Sequence, residues 1–150
     1  MTEEQKQRVR STFGKAERIP EIMGLAFYRR LFELDPTLRP LFRHDIQEQS
    51  RKLMATLKMA VDSMEQPKEI LAAIQSLGRR HIQYGVKEQH YDTVGTALVW
   101  ALEQNLGSEF DTTAREAWLE LYGWLAKVMK EAASAAEKGF DTSRFFARTP

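Results

Sequence analysis

Apolar residues recur along this chain every three or four positions, and nowhere do they alternate with period two. Each apolar stretch therefore lines one face of a helix, and the chain reads as all-α. Thr2 with Gln5 three residues on forms a capping-box pattern, and Val9, Phe13 and Ala16 give a sparse apolar face running to about Arg18. Pro20 fits the first turn of a second helix. Ile22, Leu25, Tyr28, Arg29 and Phe32 share helical spacing within it, and Phe27, Leu31 and Leu34 widen the stripe. Gly24 inside this helix costs about 1 kcal/mol against alanine, which makes sense where another backbone crosses closely. Pro36 and Pro40 allow only a tight turn between them; Phe42 and a polar corner, Arg43-His44-Asp45, follow.

A third helix is expected from Ile46 to about Met64, with Gln49, Leu53, Thr56, Leu57 and Ala60 on one face and Met54, Val61 and Met64 beside them. Pro67 starts the fourth, and Gly85, free to take positive φ, marks its end. His90-Tyr91-Asp92 opens a fifth, with Val94, Leu98, Ala101, Leu102 and Asn105 down one side, and Gly107 stops it. Asp111 to Thr113 supplies caps for the last helix, with Glu116 completing a second capping box after Thr113. That helix carries Ala114, Trp118, Leu121, Tyr122, Leu125, Val128, Met129 and Ala132 inward, to about Lys138. One domain over 1–138 follows, with no repeat. In the tail, 139–150, Phe140, Phe145 and Phe146 either pack on the body or a second subunit, or remain disordered.

Composition narrows the picture. With 150 residues, 43% of them hydrophobic, the chain supports one substantial core. Lys plus Arg is 22 and Asp plus Glu is 21, interspersed, so a net charge of +1 makes no electrostatic case for nucleic acid or an acidic membrane as partner. No apolar run approaches the roughly 20 residues that span a bilayer. Met1 to Lys6 lacks a signal-peptide core, so a cytoplasmic setting is expected. The absence of cysteine excludes disulfides, thiolate nucleophiles, iron–sulfur clusters and thiolate-held haem.

One residue stands out chemically. Ile70, Ile74, Leu77 and His81 fall on one face of the fourth helix, so an imidazole stands in line with an apolar stripe. Such a histidine needs a partner there: a core hydrogen bond, a second titratable group, or a metal.

Three runs stand in order around it: Phe27-Tyr28 with Leu31-Phe32, Gln49-Ser50-Arg51-Lys52-Leu53, and Arg79-Arg80-His81 with Gln83-Tyr84-Gly85. Together they resemble the globin family over Thr2 to about Ala132, nearest in kind to the bacterial single-domain globins and the globin domain of flavohaemoglobins. The resemblance implies a three-over-three helical sandwich around haem b, iron protoporphyrin IX. It implies that His81 ligates the iron on the proximal side through a neutral imidazole, the other ring nitrogen donating to a carbonyl or side chain. Phe42 would stack on the porphyrin, and Leu57, Leu77, Val86, Val94, Leu98 and Met129 would wall the pocket.

On the distal side the resemblance places Tyr28, Gln49 and Leu53. Oxygen held at ferrous iron gains negative character, so an O–H from Tyr28 and an N–H from Gln49 stabilise it more than they stabilise carbon monoxide. Leu53 would restrict space and exclude water. Lys52 would reach a propionate along its stem, with Arg43 and Arg80 as weaker candidates. His44, or Tyr28 itself, is a candidate sixth ligand in the ferric state.

Three functions fit these residues. The first is reversible binding of oxygen, and of carbon monoxide and nitric oxide, at a pentacoordinate iron, for transport or storage. The second is nitric oxide dioxygenation, with an external reductase because no flavin/NAD reductase domain follows in this chain. The third is a haem-based gas sensor. The proximal tyrosine of flavohaemoglobins is matched by Tyr91. Their proximal glutamate falls at about Ala133, and Glu131, two residues off, would face differently.

Overall fold

The structure is a computed structural model that describes residues 1–42 and 45–137. Six helices account for the expected stripes: α1 (Glu3–Ala16), α2 (Pro20–Leu34), α3 (Ile46–Ser63), α4 (Pro67–Gln83), α5 (His90–Leu106) and α6 (Thr112–Glu137). Short 3-10 segments lie at Pro36–Leu41, where two prolines disfavour a regular helix, and at Gly107–Glu109. The arrangement is the expected globin sandwich, with α1, α3 and α4 in one layer and α2, α5 and α6 in the other. The strongest packing runs between layers, α4 on α6 and α2 on α3. No helix of the described residues is long and apolar enough to cross a membrane. Arg43, His44 and the tail from Lys138 lie outside the described residues, and with them the expectations placed on Arg43, His44, Phe140, Phe145 and Phe146.

Local chemistry sets the helix ends. Thr2 and Gln5 close their capping box in both directions, at 3.1 and 2.8 Å. Asp45 caps α3 by accepting the Glu48 N–H at 2.8 Å. The second capping box does not form: α6 begins at Thr112, so Asp111 takes the cap position and accepts the Ala114 N–H at 2.9 Å. That register moves Thr113 inside the helix. Asp ranks above Thr at the cap, where its carboxylate accepts from a first-turn N–H.

Two glycines let helices cross. An added Cβ on Gly24 would lie 1.8 Å from Ser50 Oγ and 3.1 Å from its Cα, so α2 meets α3 backbone to backbone as expected. Gly78 does the same for α4 and α6: its Cβ would stand 2.5 Å from the Met129 carbonyl oxygen. The two layers are also joined by a polar contact, Trp118 donating to Thr12 Oγ1 at 2.8 Å, while Thr12 donates to the Arg8 carbonyl at 2.6 Å. Every polar atom in that buried chain has a partner, so Trp118 is anchored without a desolvation penalty.

Candidate functional site

The last turn of α4 presents His81. Gly85, at φ 86°, ends this helix in a Schellman motif: Val86 N–H donates to the His81 carbonyl at 3.0 Å and Gly85 N–H to that of Ile82 at 2.9 Å. The motif fixes Val86 relative to His81, so the sequence Arg-His-x-x-x-Gly-Val builds one wall and its histidine together.

The ring of His81 is equally fixed. Its Nδ1 lies 2.8 Å from the Leu77 carbonyl one turn back. A carbonyl only accepts, so the proton is assigned to Nδ1, and Nε2 keeps its lone pair. Burial holds the imidazole below its ordinary value; the Leu77 bond opposes this and the Arg80 charge adds to it. The ring is therefore neutral near pH 7 with its free nitrogen facing away from its own helix.

Two tyrosines flank it. The Tyr91 ring stacks 6.4 Å from the imidazole at 24°, and the Tyr84 ring lies 6.2 Å away at 53°. The Tyr91 hydroxyl is buried without a hydrogen-bond partner, and burial pushes its pKa up to about 12. Tyr122 donates to the Tyr91 carbonyl at 2.6 Å, and its ring fits because Gly95 has no side chain: a Cβ there would approach it to 2.7 Å. Near the end of α6, Ala133 is half-buried and Glu131 is exposed. Nothing acidic among these contacts reaches the imidazole.

A second group forms where α2 meets α3. Tyr28 is buried, and its hydroxyl donates to the Gln49 backbone carbonyl at 3.1 Å. Desolvation raises its pKa far above the ordinary phenol value, so it stays a protonated donor. Its ring packs edge-on to Phe42 at 5.2 Å and stacks with Phe32 at 6.1 Å, while Phe32 and Phe42 meet at 5.7 Å. Gln49 is buried on the first turns of α3, and Leu53, one turn on, is half-buried. Lys52 is exposed, 3.9 Å from Glu48 on the same helix.

The expected wall residues divide by burial. Leu57, Leu98 and Met129 lie in the closed core, whereas Phe42, Leu53, Leu77, Val86 and Val94 pack against it and keep part of their surface open. A half-open apolar set and one neutral imidazole are together the chemistry that suits a flat hydrophobic cofactor held by a single nitrogen–iron bond. A hydrated metal would instead need several polar ligands.

Sequence reasoning named Phe32, Tyr84 and Tyr122 but gave none of them a part in the site. Phe32 could have been paired with Tyr28, four residues back on one helix face. Tyr84 follows His81 by three residues, again a neighbour on the helix surface. Nothing local marks Tyr122, whose partner lies in another helix.

Comparison with known proteins bears on this geometry. The globin family model matches residues 25–129. A flavohemoprotein of Xylella fastidiosa is 31% identical over 120 residues, spanning 78% of this chain and 30% of that protein. The chain thus spans less than a third of that relative's length. A neuroglobin of Danio rerio is 27% identical over 143 residues, 86% of this chain and 90% of that one. Among solved structures, a bacterial globin from Campylobacter jejuni superposes with a TM-score of 0.81 at 26% identity, covering 91% of this chain and 99% of that one. A putative nitric oxide dioxygenase from Rhodothermus marinus, engineered as a carbene transferase, gives a TM-score of 0.81 at 28% identity over 92% and 96% of the two chains.

Proposed function

The chain belongs to the globin family, and we propose that it is a haem b protein that binds oxygen and other diatomic gases reversibly, with His81 as the iron's protein ligand. The observation that carries this reading is the bond from His81 Nδ1 to the Leu77 carbonyl, which leaves Nε2 unprotonated and aimed off the helix. When bound, the haem supplies an iron with one exchangeable position for a gas.

The chain's own residues do the rest. Leu77, Val86 and Val94 give the porphyrin apolar walls, with Leu57 and Leu98 as the packed layer behind them. Phe42, braced by Phe32 and Tyr28, offers a ring face to the porphyrin. In this reading the Tyr28 hydroxyl, on leaving the Gln49 carbonyl, and the Gln49 amide donate to a gas that acquires negative charge. Leu53 excludes water beside them. Lys52 has the reach and exposure to meet a propionate, trading its weak contact with Glu48. A cytoplasmic setting belongs to the same proposal.

A second reading, nitric oxide dioxygenation with electrons from a separate reductase, is supported by the likeness to a flavohemoprotein and to a putative nitric oxide dioxygenase. The proximal side favours the first reading. His81 donates to a neutral carbonyl, and the Tyr91 hydroxyl beside it holds no carboxylate. A carbonyl draws less electron density toward the imidazole than a carboxylate does, so the ring pushes less strongly on its metal. Binding is then favoured over oxygen–oxygen bond cleavage.

Absorption spectra of hemin-reconstituted protein test the proposal. It expects a Soret band, a high-spin ferrous form, and a stable oxygenated spectrum on exposure to air. A preparation that stays colourless contradicts it. Rapid mixing of the oxygenated form with nitric oxide, followed by turnover with a reductase, separates the second reading from the first.

A further inference from the structure

A cleft of about 450 Å³ opens between α5 and α6, and none of Tyr28, Gln49, Leu53 or His81 lines it. Trp100 and Leu119 stand in it, and Leu119 is 45% exposed. One turn further along α6, Gly123 is exposed, and nothing stands within 4 Å of where its Cβ would be. The cleft is thus an apolar groove with a recess. Tyr122 also lines it, and Tyr122 donates to the carbonyl of Tyr91, whose ring stacks on His81.

Two contacts set the level of one helix against the other. Glu103 of α5 pairs with Arg115 of α6, and Gly95 of α5 faces the ring of Tyr122 on α6. The two helices therefore run antiparallel. Thr96 stands level with Tyr122, and Asp92, one turn back, is level with about Ala126. Read from the C-terminal end of α6 toward its start, the charged rim is Lys130, then Asp92, then Glu103 with Arg115.

Residues 138–150 follow Glu137, where the described part of α6 ends, and they carry Gly139, Asp141, Arg144, Phe145, Phe146 and Arg148. We infer that this segment reverses at Gly139 and lies in the α5–α6 cleft of its own chain. Glycine is the residue type that turns a chain at a helix end. An extended chain advances about 3.3 Å per residue and a helix about 1.5 Å, so each returning residue passes about two positions of α6. On that count Asp141 arrives near Lys130, Arg144 near Asp92, and Arg148 near Glu103. Phe145 and Phe146 arrive at the recess of Gly123, beside Leu119 and Thr96. Negative, positive and positive on the segment thus meet positive, negative and negative on the rim, in that order. The Glu103 carboxylate has acceptor sites for a second cation beside Arg115. Two aromatic rings cover the apolar surface that α5 and α6 leave open. This match of order and spacing assigns the cleft to the chain's own segment.

The chain has no cysteine, so a single introduced thiol reports on the cleft. Thr96→Cys changes the side chain least, and Thr96 is a cleft residue of α5. The test is the rate at which this thiol reacts with a small maleimide in the purified protein, with Ser11→Cys, exposed on α1, as the reference. The expected result is a rate at least about tenfold below the reference, and independent of protein concentration from about 5 to about 200 µM. Phe145→Ser together with Phe146→Ser should bring the rate up to that of the reference and leave the reference itself unchanged. Far-UV circular dichroism of each variant checks that it remains folded. The readout does not involve haem, so its outcome is separate from that of the proposal for His81. A thiol at position 96 that reacts as fast as the reference overturns the inference. So does shielding that survives both phenylalanine substitutions, or shielding that grows with concentration, which would assign the cleft to another copy.

Discussion

The hydroxyl of Tyr28 is already committed, and this sets the size of its effect on ligand binding. Tyr28→Phe removes one oxygen and keeps the ring in its cluster with Phe27, Phe32 and Phe42. The phenol has a single proton, which goes to the Gln49 carbonyl at 3.1 Å. To donate to a gas it must leave that acceptor. The gain is therefore a difference: a bond to a charged acceptor, about 1.5–3 kcal/mol, less a neutral one, about 0.5–1.5 kcal/mol. About 1–2 kcal/mol remains, or roughly 5- to 30-fold in affinity, and most of it should appear in the dissociation rate. Stopped-flow measurement of oxygen release from wild type and Tyr28→Phe should show an acceleration in that range. Carbon monoxide, which gains little charge, should leave both proteins at rates within about twofold. An unchanged oxygen rate would refute the donor role. An equal acceleration for both gases would refute the electrostatic argument and point to altered packing instead.

Two further outcomes follow from the helix crossings and caps. Gly78→Ala forces a Cβ against the Met129 backbone, which cannot swing aside, so thermal denaturation should show a loss of about 1–3 kcal/mol, whereas Gly14→Ala, in open space on α1, should gain up to about 1 kcal/mol. Asp111 has its carboxyl held below the ordinary carboxylate range by the Ala114 N–H and then by the Arg8 charge, so its contribution is full above that range and is lost as pH falls through it. The difference in melting temperature between wild type and Asp111→Asn should therefore hold steady above about pH 5 and shrink as the pH falls below it.

The elements were legible because their signals are local. Pro20 and Pro67 each open a helix, Gly85 and Gly107 each take positive φ at its end, and the period of the apolar stripes sets what lies between. Gly24 could be read as a close crossing because a glycine deep in an apolar helix has few other uses. Gly78 carries the same meaning, yet His81 three residues on drew the chemistry, and its partner Met129 is remote in sequence. Choosing Thr113 as a cap went astray because Asp111, Thr112 and Thr113 all have capping side chains, and only the packed register of α6 decides among them. At the site, the periodicity placed His81 on an apolar face but could not say which ring nitrogen is free. That depends on the Leu77 carbonyl, a backbone group with no trace in residue identity. The Tyr28 proton is similar, since its acceptor is the backbone of Gln49. Burial also sorted the wall residues in a way that hydrophobicity does not: Leu53 and Leu57 are the same residue type one turn apart, and only the second is closed in.

All of this depends on the free nitrogen of His81, and the direct measurement is the Soret absorbance of His81→Gly after hemin is added, with and without imidazole. The substitution deletes the ring and leaves a space for a free imidazole to occupy. The account predicts that haem binding falls sharply in the variant and returns when imidazole is supplied. A variant that keeps the wild-type ferrous spectrum without imidazole would contradict it.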